Sequence, residues 1–309
     1  MSSSKLDLTN DEVYYGNEAN WKYWSVSWYK KFIECESRAL AELKEDWEPK
    51  SNPMPLLVGN YVHSYFESKE AHERFKEENK ESLYADATVA QYKKALDDIG
   101  MPYKKSSKKD ELVTLFDSYD GQKPFIHGKM YSDFKVAERM IKKVERDPFF
   151  NFLWQGEKEV VITGELFGVD WKGKIDLLNV EKGYFVDLKT SRGFDIRYWD
   201  KDRYRYVSFV EAFGYVTQIA IYEKLLEQKY GKPFEGFIFA VSKENPPNLE
   251  AIQIEHPEKD FDLSLVEQNI ERVEQVKTGQ VEPEMCGKCD YCREYKQLEG
   301  FKFPGQLIE

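Results

Sequence analysis

The most constraining feature of this chain is the segment 174–190, where charged residues interrupt two apolar runs. The runs flank a Glu-Lys-Gly sequence, and this pattern predicts a β-hairpin. A turn centred on the Glu-Lys pair would place Asp176 directly opposite Asp187, with roughly 5 Å between their side chains. A three-residue loop would make them diagonal neighbours instead. Lys189 shares the face of Asp187, because residues two apart in a strand point the same way.

The charges on this predicted hairpin need a chemical reason. Like charges opposite each other destabilise a sheet unless something neutralises them. Mg²⁺ could do so, because it binds one or two carboxylates together with a substrate phosphate. A lysine beside it could orient a water or offset charge that develops on phosphorus. The alternative is an exposed hairpin with ordinary polar alternation. The apolar positions instead predict burial on both faces, where unpaired charge is costly; they are Ile175, Leu177, Leu178, Phe185, Val186 and Leu188.

The hairpin resembles the core of the PD-(D/E)XK nuclease superfamily. Asp176 matches its first acid, and Asp187-Leu188-Lys189 matches its D-X-K element. The resemblance implies a restriction-endonuclease-like α/β core, with a central mixed β-sheet flanked by helices. It further implies that both aspartates and the Leu188 backbone carbonyl hold Mg²⁺ or Mn²⁺, and that Lys189 positions the attacking water.

More specifically, the chain resembles the RecB/RecE branch, the exodeoxyribonuclease VIII-like enzymes of phage and bacterial recombination systems. Residues 59–67 resemble the helix that carries a metal-binding histidine in that branch, which here is His63. Gln218 and Tyr222 resemble its helical Q-x-x-x-Y element. The resemblance implies a Mg²⁺-dependent exonuclease acting on linear DNA, with Gln218 and Tyr222 near the scissile phosphate. It also implies a single-strand annealing protein as a candidate partner.

Several alternatives stay open at this stage. Core packing explains tyrosines in a helical stripe about as well as DNA contact does. Glu67 shares a helical face with His63, and it joins Glu159 as a candidate for a second metal or a water. The chain could also be an endonuclease or single-strand nuclease of the same superfamily. A catalytically retired DNA-binding subunit and a metal-stapled interaction protein are the remaining alternatives.

Residues 84–120 form a different unit. Thr88 can cap a helix that Gly100 closes, and a basic stretch leads into a second apolar-periodic helix. Helix, basic loop and helix together resemble the small SAP or HeH nucleic-acid-binding modules. A solvated helical insertion is the alternative, because lysine clusters often match such patterns by chance. The candidate DNA-binding residues are Lys104, Lys105, Lys108 and Lys109.

The chain has four cysteines, and three of them form a C-x2-C-x2-C motif near the C-terminal end. This motif comprises Cys286, Cys289 and Cys292, and Cys35 is the remote fourth thiol. Four thiolates suit a [4Fe–4S] cluster, and a tetrahedral Zn²⁺ site or four free thiols are the alternatives. One branch of RecB-like nucleases resembles this arrangement, with one N-terminal and three C-terminal cysteines that staple the chain ends. A structural role is therefore expected.

Composition limits the class of protein. A net charge of −11 is awkward for a nucleic-acid binder, although local basic clusters matter more than the total. No run approaches the ~20 apolar residues of a membrane span, and the first residues lack an apolar signal segment. A soluble cytoplasmic protein is expected. The predicted organisation is a flexible segment 1–20, a nuclease domain over 21–83 and 121–309, and the helical insertion.

Elsewhere, hydrophobic periodicity predicts helices and strands in mixed order, which favours a mixed sheet covered on both faces. Ser25 or Ser27 can cap the first helix, and Ser208-Phe-Val-Glu211 matches a capping box. The predicted helices cover residues up to 43, 56–79, 128–146, 208–229 and 263–278. The predicted strands cover 159–163, 166–170, 174–180, 184–190, 234–242 and 249–255.

Overall fold

The computed structural model describes residues 6–50, 52–200, 203–298, 300, 301, 303 and 305. The helices are α1 (Asp11–Tyr15), α2 (Asn17–Lys22), α3 (Val26–Glu34), α4 (Glu36–Leu43), α5 (Met54–Glu67), α6 (Lys69–Glu78), α7 (Lys80–Leu83), α8 (Val89–Asp98), α9 (Lys109–Asp117), α10 (Ser132–Glu145), α11 (Pro148–Leu153), α12 (Phe209–Ala212), α13 (Tyr215–Tyr230), α14 (His256–Lys277) and α15 (Asp290–Glu294). The strands are β1 (Glu157–Leu166), β2 (Val169–Asn179), β3 (Tyr184–Ser191), β4 (Tyr198–Asp200), β5 (Arg205–Val207), β6 (Glu235–Ser242) and β7 (Leu249–Gln253).

A five-stranded sheet in the order β1-β2-β3-β6-β7 forms the centre of the molecule. The first three strands are an antiparallel meander, β3 pairs in parallel with β6, and β7 is antiparallel to β6. A parallel pair needs a crossover connection, which α12 and α13 provide. The mixed sheet flanked by helices is a restriction-endonuclease-like α/β core, as predicted.

Helices cover the sheet on both faces. Ile175 and Phe185 pack into one hydrophobic core with residues of α3, α4, α13 and α14. Leu177 and Val186 point the other way, into a second core with residues of α5, α10 and α11. Strands buried on both faces read as nearly continuous apolar runs. The predicted burial on both faces of the hairpin is therefore confirmed.

The hairpin between β2 and β3 has the register of a turn centred on Glu181 and Lys182. Its ladder pairs Leu177 with Val186 and Asn179 with Tyr184. Gly183 ends the turn at φ +71°, a left-handed conformation that glycine adopts without strain. The same register places Asp176 opposite Asp187, one position beyond the ladder.

Two predicted helices are interrupted. Cys35 is extended (φ −167°, ψ 106°) and separates α3 from α4, while Ser68 separates α5 from α6 and caps the second helix by accepting from Ala71 N–H. Ser25 caps α3, as expected, by accepting from Trp28 N–H. At each break, a side-chain cap or a tertiary contact stabilises the interruption of the helix. The hydrophobic periodicity continues on both sides of the break, so the sequence pattern predicts an uninterrupted helix.

The chain breaks differently from prediction at two other places. The predicted strands 166–170 and 174–180 are one strand, β2, because the turn falls at Phe167 and Gly168, both with positive φ. The helix predicted after the Ser208 capping box splits into α12 and α13. Gly214, at φ +65°, makes that break.

The N-terminal segment departs from its expected flexibility, although residues 1–5 lie outside the described residues. Tyr14 and Ala19 are buried, and α1 and α2 pack on the edge of the sheet. The buried Lys172 ammonium donates to the Tyr14 carbonyl and, at 2.8 Å, to Asn20 Oδ1. These few apolar residues are scattered among polar ones, so their packing is not evident from the local sequence.

The helical insertion has its own small core. Leu96 of α8 and Leu112 of α9 are fully buried in it, and Thr88 forms the expected capping box with Gln91. The two chain segments that lead into and out of the insertion lie side by side, and Tyr84 pairs with Met130 between them. Residues 121–127 come before Met130 and therefore belong to the insertion. Across the described ranges, no helix is long and apolar enough to cross a membrane.

Candidate active site

Four elements bring together the residues that the hairpin motif singled out. Asp176 comes from β2, Asp187 and Lys189 from β3, His63 from α5 and Gln218 from α13. All five line one cavity of about 420 Å³, which we call the carboxylate cavity. The two aspartates therefore lie on the same side of the sheet.

Asp176 is held by a backbone donor and a histidine. Its Oδ2 accepts from Leu188 N–H at 2.7 Å and lies 3.5 Å from His63 Nδ1. Burial raises the pKa of Asp176, but His63, Lys189 and the Leu188 N–H together hold it below its ordinary value. Burial likewise lowers the pKa of His63, and Asp176 outweighs this and raises it. Asp176 is therefore a carboxylate at neutral pH.

Asp187 is the most enclosed of these groups, with 2% of its surface exposed. Its Oδ1 accepts from Gln218 Nε2 at 2.7 Å, and its Oδ2 lies 2.6 Å from Lys189 Nζ. Burial raises the pKa of Asp187; Lys189 opposes this effect and Asp176 adds to it. The negative charge of ionised Asp187 is therefore only partly offset by the nearby ammonium of Lys189.

Lys189 remains an ammonium in this setting. Burial lowers its pKa, but Asp187 and Asp176 outweigh burial and raise it. Its Nζ also lies 4.6 Å from the centre of the Tyr215 ring, a cation–π contact. The charged lysine is consequently fixed beside both carboxylates.

The donor set fits a hard divalent cation. Asp187 Oδ2 is buried, and its partner is the Lys189 ammonium at 2.6 Å, in a geometry poor for a hydrogen bond. A carboxylate has about four lone-pair sites, so Asp187 keeps the capacity to bind a cation. Carboxylate oxygens are the ligands that Mg²⁺ prefers. The Leu188 N–H points at Asp176, and the N–H and C=O of one strand residue point to the same side. The Leu188 carbonyl therefore faces the same edge of β3, the one beside β2.

The two acids that were predicted as further candidates, Glu159 and Glu67, both line the cavity. Glu159 of β1 stands opposite Asp176, between the pairs Lys158–Leu177 and Val160–Ile175. Its φ is +54°, a strained conformation for a residue with a side chain, of the kind that concentrates at functional sites. Burial, with Asp176 next, raises the pKa of Glu159. Glu67 also lines the cavity.

Sequence reasoning missed several cavity residues, and three of them form one cluster. Lys174 forms ion pairs of 2.8 Å with both Asp11 and Glu159, and Tyr15 lies beside it. Lys174 could have been found, because it lies two residues before Asp176 and shares its face. Asp11 and Tyr15 could not, because only tertiary packing brings α1 to this edge.

The Q-x-x-x-Y element divides between two environments. Gln218 is directed at Asp187, so it orients that carboxylate. Tyr222 is buried against Phe185 and Gly173, and a Cβ at Gly173 would lie 2.5 Å from its ring. Tyr222 does not line the carboxylate cavity. Tyr222 instead lines an adjoining pocket that shares Tyr15, Lys174 and Gln218 with the carboxylate cavity, and its contact with the DNA strand stays a prediction.

The four cysteines converge at a separate site. Cys35 Sγ lies 3.5 Å from Cys292 Sγ, which lies 3.8 Å from Cys286 Sγ. All four ligand atoms, including that of Cys289, lie within 4.8 Å of one another. The backbone N–H groups of Lys288 and Cys289 point at Cys286 Sγ. This arrangement can hold a metal ion.

The lysines of the insertion lie outside the carboxylate cavity. Lys104, Lys105 and Lys108 are exposed. Lys109 is half-buried and forms an ion pair of 3.3 Å with Asp86. Three of the four predicted DNA-binding lysines are therefore exposed at the surface.

A mixed sheet that carries two acids and a lysine on adjacent strands defines the PD-(D/E)XK nuclease superfamily. The family model described as "PDDEXK-like domain of unknown function (DUF3799)" matches residues 25–295, and the chain belongs to this family.

One solved structure agrees with this assignment. The crystal structure of a Eubacterium rectale protein named "putative exonuclease" is 31% identical, with a TM-score of 0.76 over 99% of this chain and 98% of that chain. The crystal structure of SSO0001 is 15% identical, with a TM-score of 0.27 over 83% of this chain and 90% of that one, which is too low to support an argument. A comparison with curated proteins found no match.

Proposed function

We propose that this protein is a Mg²⁺- or Mn²⁺-dependent deoxyribonuclease, an exonuclease of recombination type that hydrolyses phosphodiester bonds of linear DNA. The observation that carries this proposal is the convergence of Asp176, Asp187 and Lys189 in one cavity, where the Lys189 ammonium is paired with the buried Asp187 carboxylate. The family and the name of the Eubacterium rectale protein support the nuclease class.

The residues have distinct roles in this proposal. His63, Asp176, Asp187 and the Leu188 carbonyl would hold the cation, which when bound activates water and stabilises the leaving oxygen. Lys189, fixed between Asp187 and Tyr215, would donate to the attacking water and offset charge on the phosphate. Gln218 would keep Asp187 in its binding orientation.

Two acids would act around this centre. Glu159 and Glu67 would serve a second cation or a water, since both line the cavity and burial raises the pKa of Glu159. Lys174 would hold Glu159 in place through their ion pair of 2.8 Å.

The proposal predicts digestion of linear duplex DNA in Mg²⁺ or Mn²⁺, with covalently closed circles spared. Lys189→Ala should slow digestion at least about 100-fold, the scale on which one transition-state donor acts. Lys182→Ala, in the turn of the same hairpin, is the matched control and should digest at the parent rate. Equal rates for all three proteins would end the proposal, and cleavage of closed circles would favour the endonuclease alternative.

The insertion supports a secondary role in DNA binding. Lys104, Lys105 and Lys108 would contact the phosphate backbone, and Lys109 would do so after leaving Asp86. We also propose that the protein digests DNA in the cytoplasm, and that a single-strand annealing protein is its candidate partner. Replacing the four lysines by alanine should weaken duplex binding and flatten its salt dependence. An unchanged salt dependence would show that these lysines do not contact DNA and that the insertion is a solvated helical segment.

For the cysteine site we infer a single tetrahedral Zn²⁺ rather than a [4Fe–4S] cluster. Tetrahedral Zn²⁺ with Zn–S bonds of ~2.3 Å separates its thiolates by about 3.8 Å, whereas each thiolate of a four-iron cluster binds a different iron and lies farther from the others. The separations of 3.5 and 3.8 Å support the single ion. Protein purified without air should be colourless and carry one zinc per chain. A brown protein with broad visible absorbance would contradict this.

A further inference from the structure

A second cavity adjoins the carboxylate cavity on the side where β3 ends. Its volume is about 840 Å³, and we call it the aromatic cavity. The two cavities share Asn60, His63 and Lys189. A chain that runs from one cavity to the other must therefore pass the groups proposed for catalysis.

A row of aromatic rings lines this second cavity. Tyr198 of β4 contacts Phe213 with ring centres 5.0 Å apart, and Phe213 contacts Tyr215 at 6.1 Å. Tyr215 in turn lies against the Lys189 ammonium. The row thus leads from the β4–β5 hairpin to the lysine of the D-X-K motif.

Phe213 is held at the surface by its backbone. It lies at the break between α12 and α13, and 40% of its surface is exposed. Gly214 makes the break at φ +65°, where an added Cβ would meet the Lys30 side chain at 2.9 Å. Lys30 Nζ also donates to the Phe213 carbonyl. An apolar ring is therefore presented to a cavity by a backbone fixed on both sides of it.

The two cavities differ in charge. Acids outnumber bases in the carboxylate cavity. Among the described residues, the aromatic cavity is instead lined by three cations, Lys189, Arg192 and Lys243, and by one acid, Asp133. Lys243 Nζ donates to the Pro55 carbonyl at 3.3 Å, and Arg192 is exposed. Phosphates are accordingly favoured in the second cavity far more than around the unliganded carboxylates.

We propose that the aromatic cavity binds unpaired nucleotides of the strand under digestion. Their bases stack on Phe213 and Tyr198, and their phosphates lie near Arg192 and Lys243. Aromatic platforms beside cations are how proteins bind single strands without reading sequence. A base-paired strand cannot stack its bases on protein rings, so the cavity selects a frayed or single-stranded end. The inference rests on the proposed function.

Binding without cleavage tests this proposal. We would measure the anisotropy of a labelled oligothymidine, and of a blunt duplex, in EDTA. Phe213→Ala should raise the Kd for oligothymidine roughly 5- to 150-fold, the loss expected for one base–aromatic stack. Its affinity for the duplex should change less than twofold. Phe213→Trp should restore oligothymidine binding, which a merely structural defect would not permit.

Phe152→Ala is the matched control. Phe152 is also exposed, but it contacts Lys182 in the turn at the opposite end of β3. The Phe152→Ala variant should bind both the oligothymidine and the duplex as the parent does. Equal oligothymidine affinity for Phe213→Ala and the parent, or an equal loss in Phe152→Ala, would overturn the proposal. So would a Phe213→Ala variant that changes only the oligomeric mass, because the face would then be an interface between copies.

The outcome separates this inference from the proposed function. A parent that binds oligothymidine through Phe213 but cleaves nothing in Mg²⁺ or Mn²⁺ overturns the nuclease proposal alone. A parent that digests linear DNA while its binding ignores Phe213 overturns the aromatic cavity alone.

Discussion

The described part of the molecule contains two candidate metal sites with opposite physical character. The carboxylate cavity joins strands that are already neighbours in a sheet, and it buries two acids beside one ammonium. The cysteine site joins residues 257 positions apart in the chain, Cys35 and Cys292, on elements that share few other contacts. One site places hard oxygen ligands on a rigid support, and the other links both ends of the chain through soft sulfur ligands.

Because of this difference, we expect the two sites to change the stability of the fold in opposite directions. Carboxylates that are buried and partly compensated make the metal-free fold less stable than neutral groups would. A metal cross-link over a long loop makes the fold more stable by restricting the unfolded chain. We therefore expect activity to depend on the first site and stability on the second.

The sharpest test is Asp187→Asn. Because it removes a ligand from the proposed catalytic cation, DNA digestion should fall at least about 10³-fold. The midpoint of thermal unfolding should stay the same or rise slightly, since the excess carboxylate is gone. Asp170→Asn, exposed on β2, is the control and should change neither quantity. A loss of activity accompanied by a large fall in the midpoint would break the comparison.

The second test is Cys292→Ser, at the other site. Loss of the cross-link should lower the free energy of unfolding by about 3–5 kcal/mol. Urea unfolding with metal analysis measures this. Met285→Ser, an exposed neighbour of the motif, should keep both metal and stability. If Cys292→Ser unfolds like the parent, the thiols carry no structural metal.

The third test, Gln218→Leu, is expected to have an intermediate effect. Gln218 donates to Asp187 Oδ1 at 2.7 Å, and losing a residue that orients a metal ligand typically costs about 10–100-fold in metal affinity or activity. A titration of digestion rate against Mn²⁺ should show the curve shifted to higher concentration, with much of the rate regained. A rate that falls equally at all Mn²⁺ concentrations would place Gln218 in contact with substrate instead.

The smallest effect concerns pH in metal-free protein. The pKa of Asp187 is raised by burial, so its ionisation favours the unfolded chain. That cost is absent below a pH of about 4, the ordinary pKa of aspartate, and grows as pH rises through the raised pKa. Relative to Asp187→Asn, the parent should lose stability over this range. Urea unfolding in EDTA at several pH values measures it, and a constant difference would contradict it.

Much of the carboxylate site was predictable because its information is local. Asp176, Asp187 and Lys189 lie within one hairpin, whose register follows from the turn and from the alternation of apolar residues. The roles of these residues stay predictions until they are tested. By contrast, the interruption at Cys35 and the packing of α1 follow from contacts with distant segments, which periodicity does not report.

The class of fold, the register of the central hairpin and the candidate ligands follow from the sequence, because a spacing of two along a strand places side chains on one face. Which of the candidates meet depends on the folded structure. It buried Tyr222 in the core, turned Gln218 to Asp187, and assembled the aromatic cavity from α5, α10, β3, β4 and α13. The physical reason is that burial and cavity shape depend on how faces pack together, and no single segment encodes that packing.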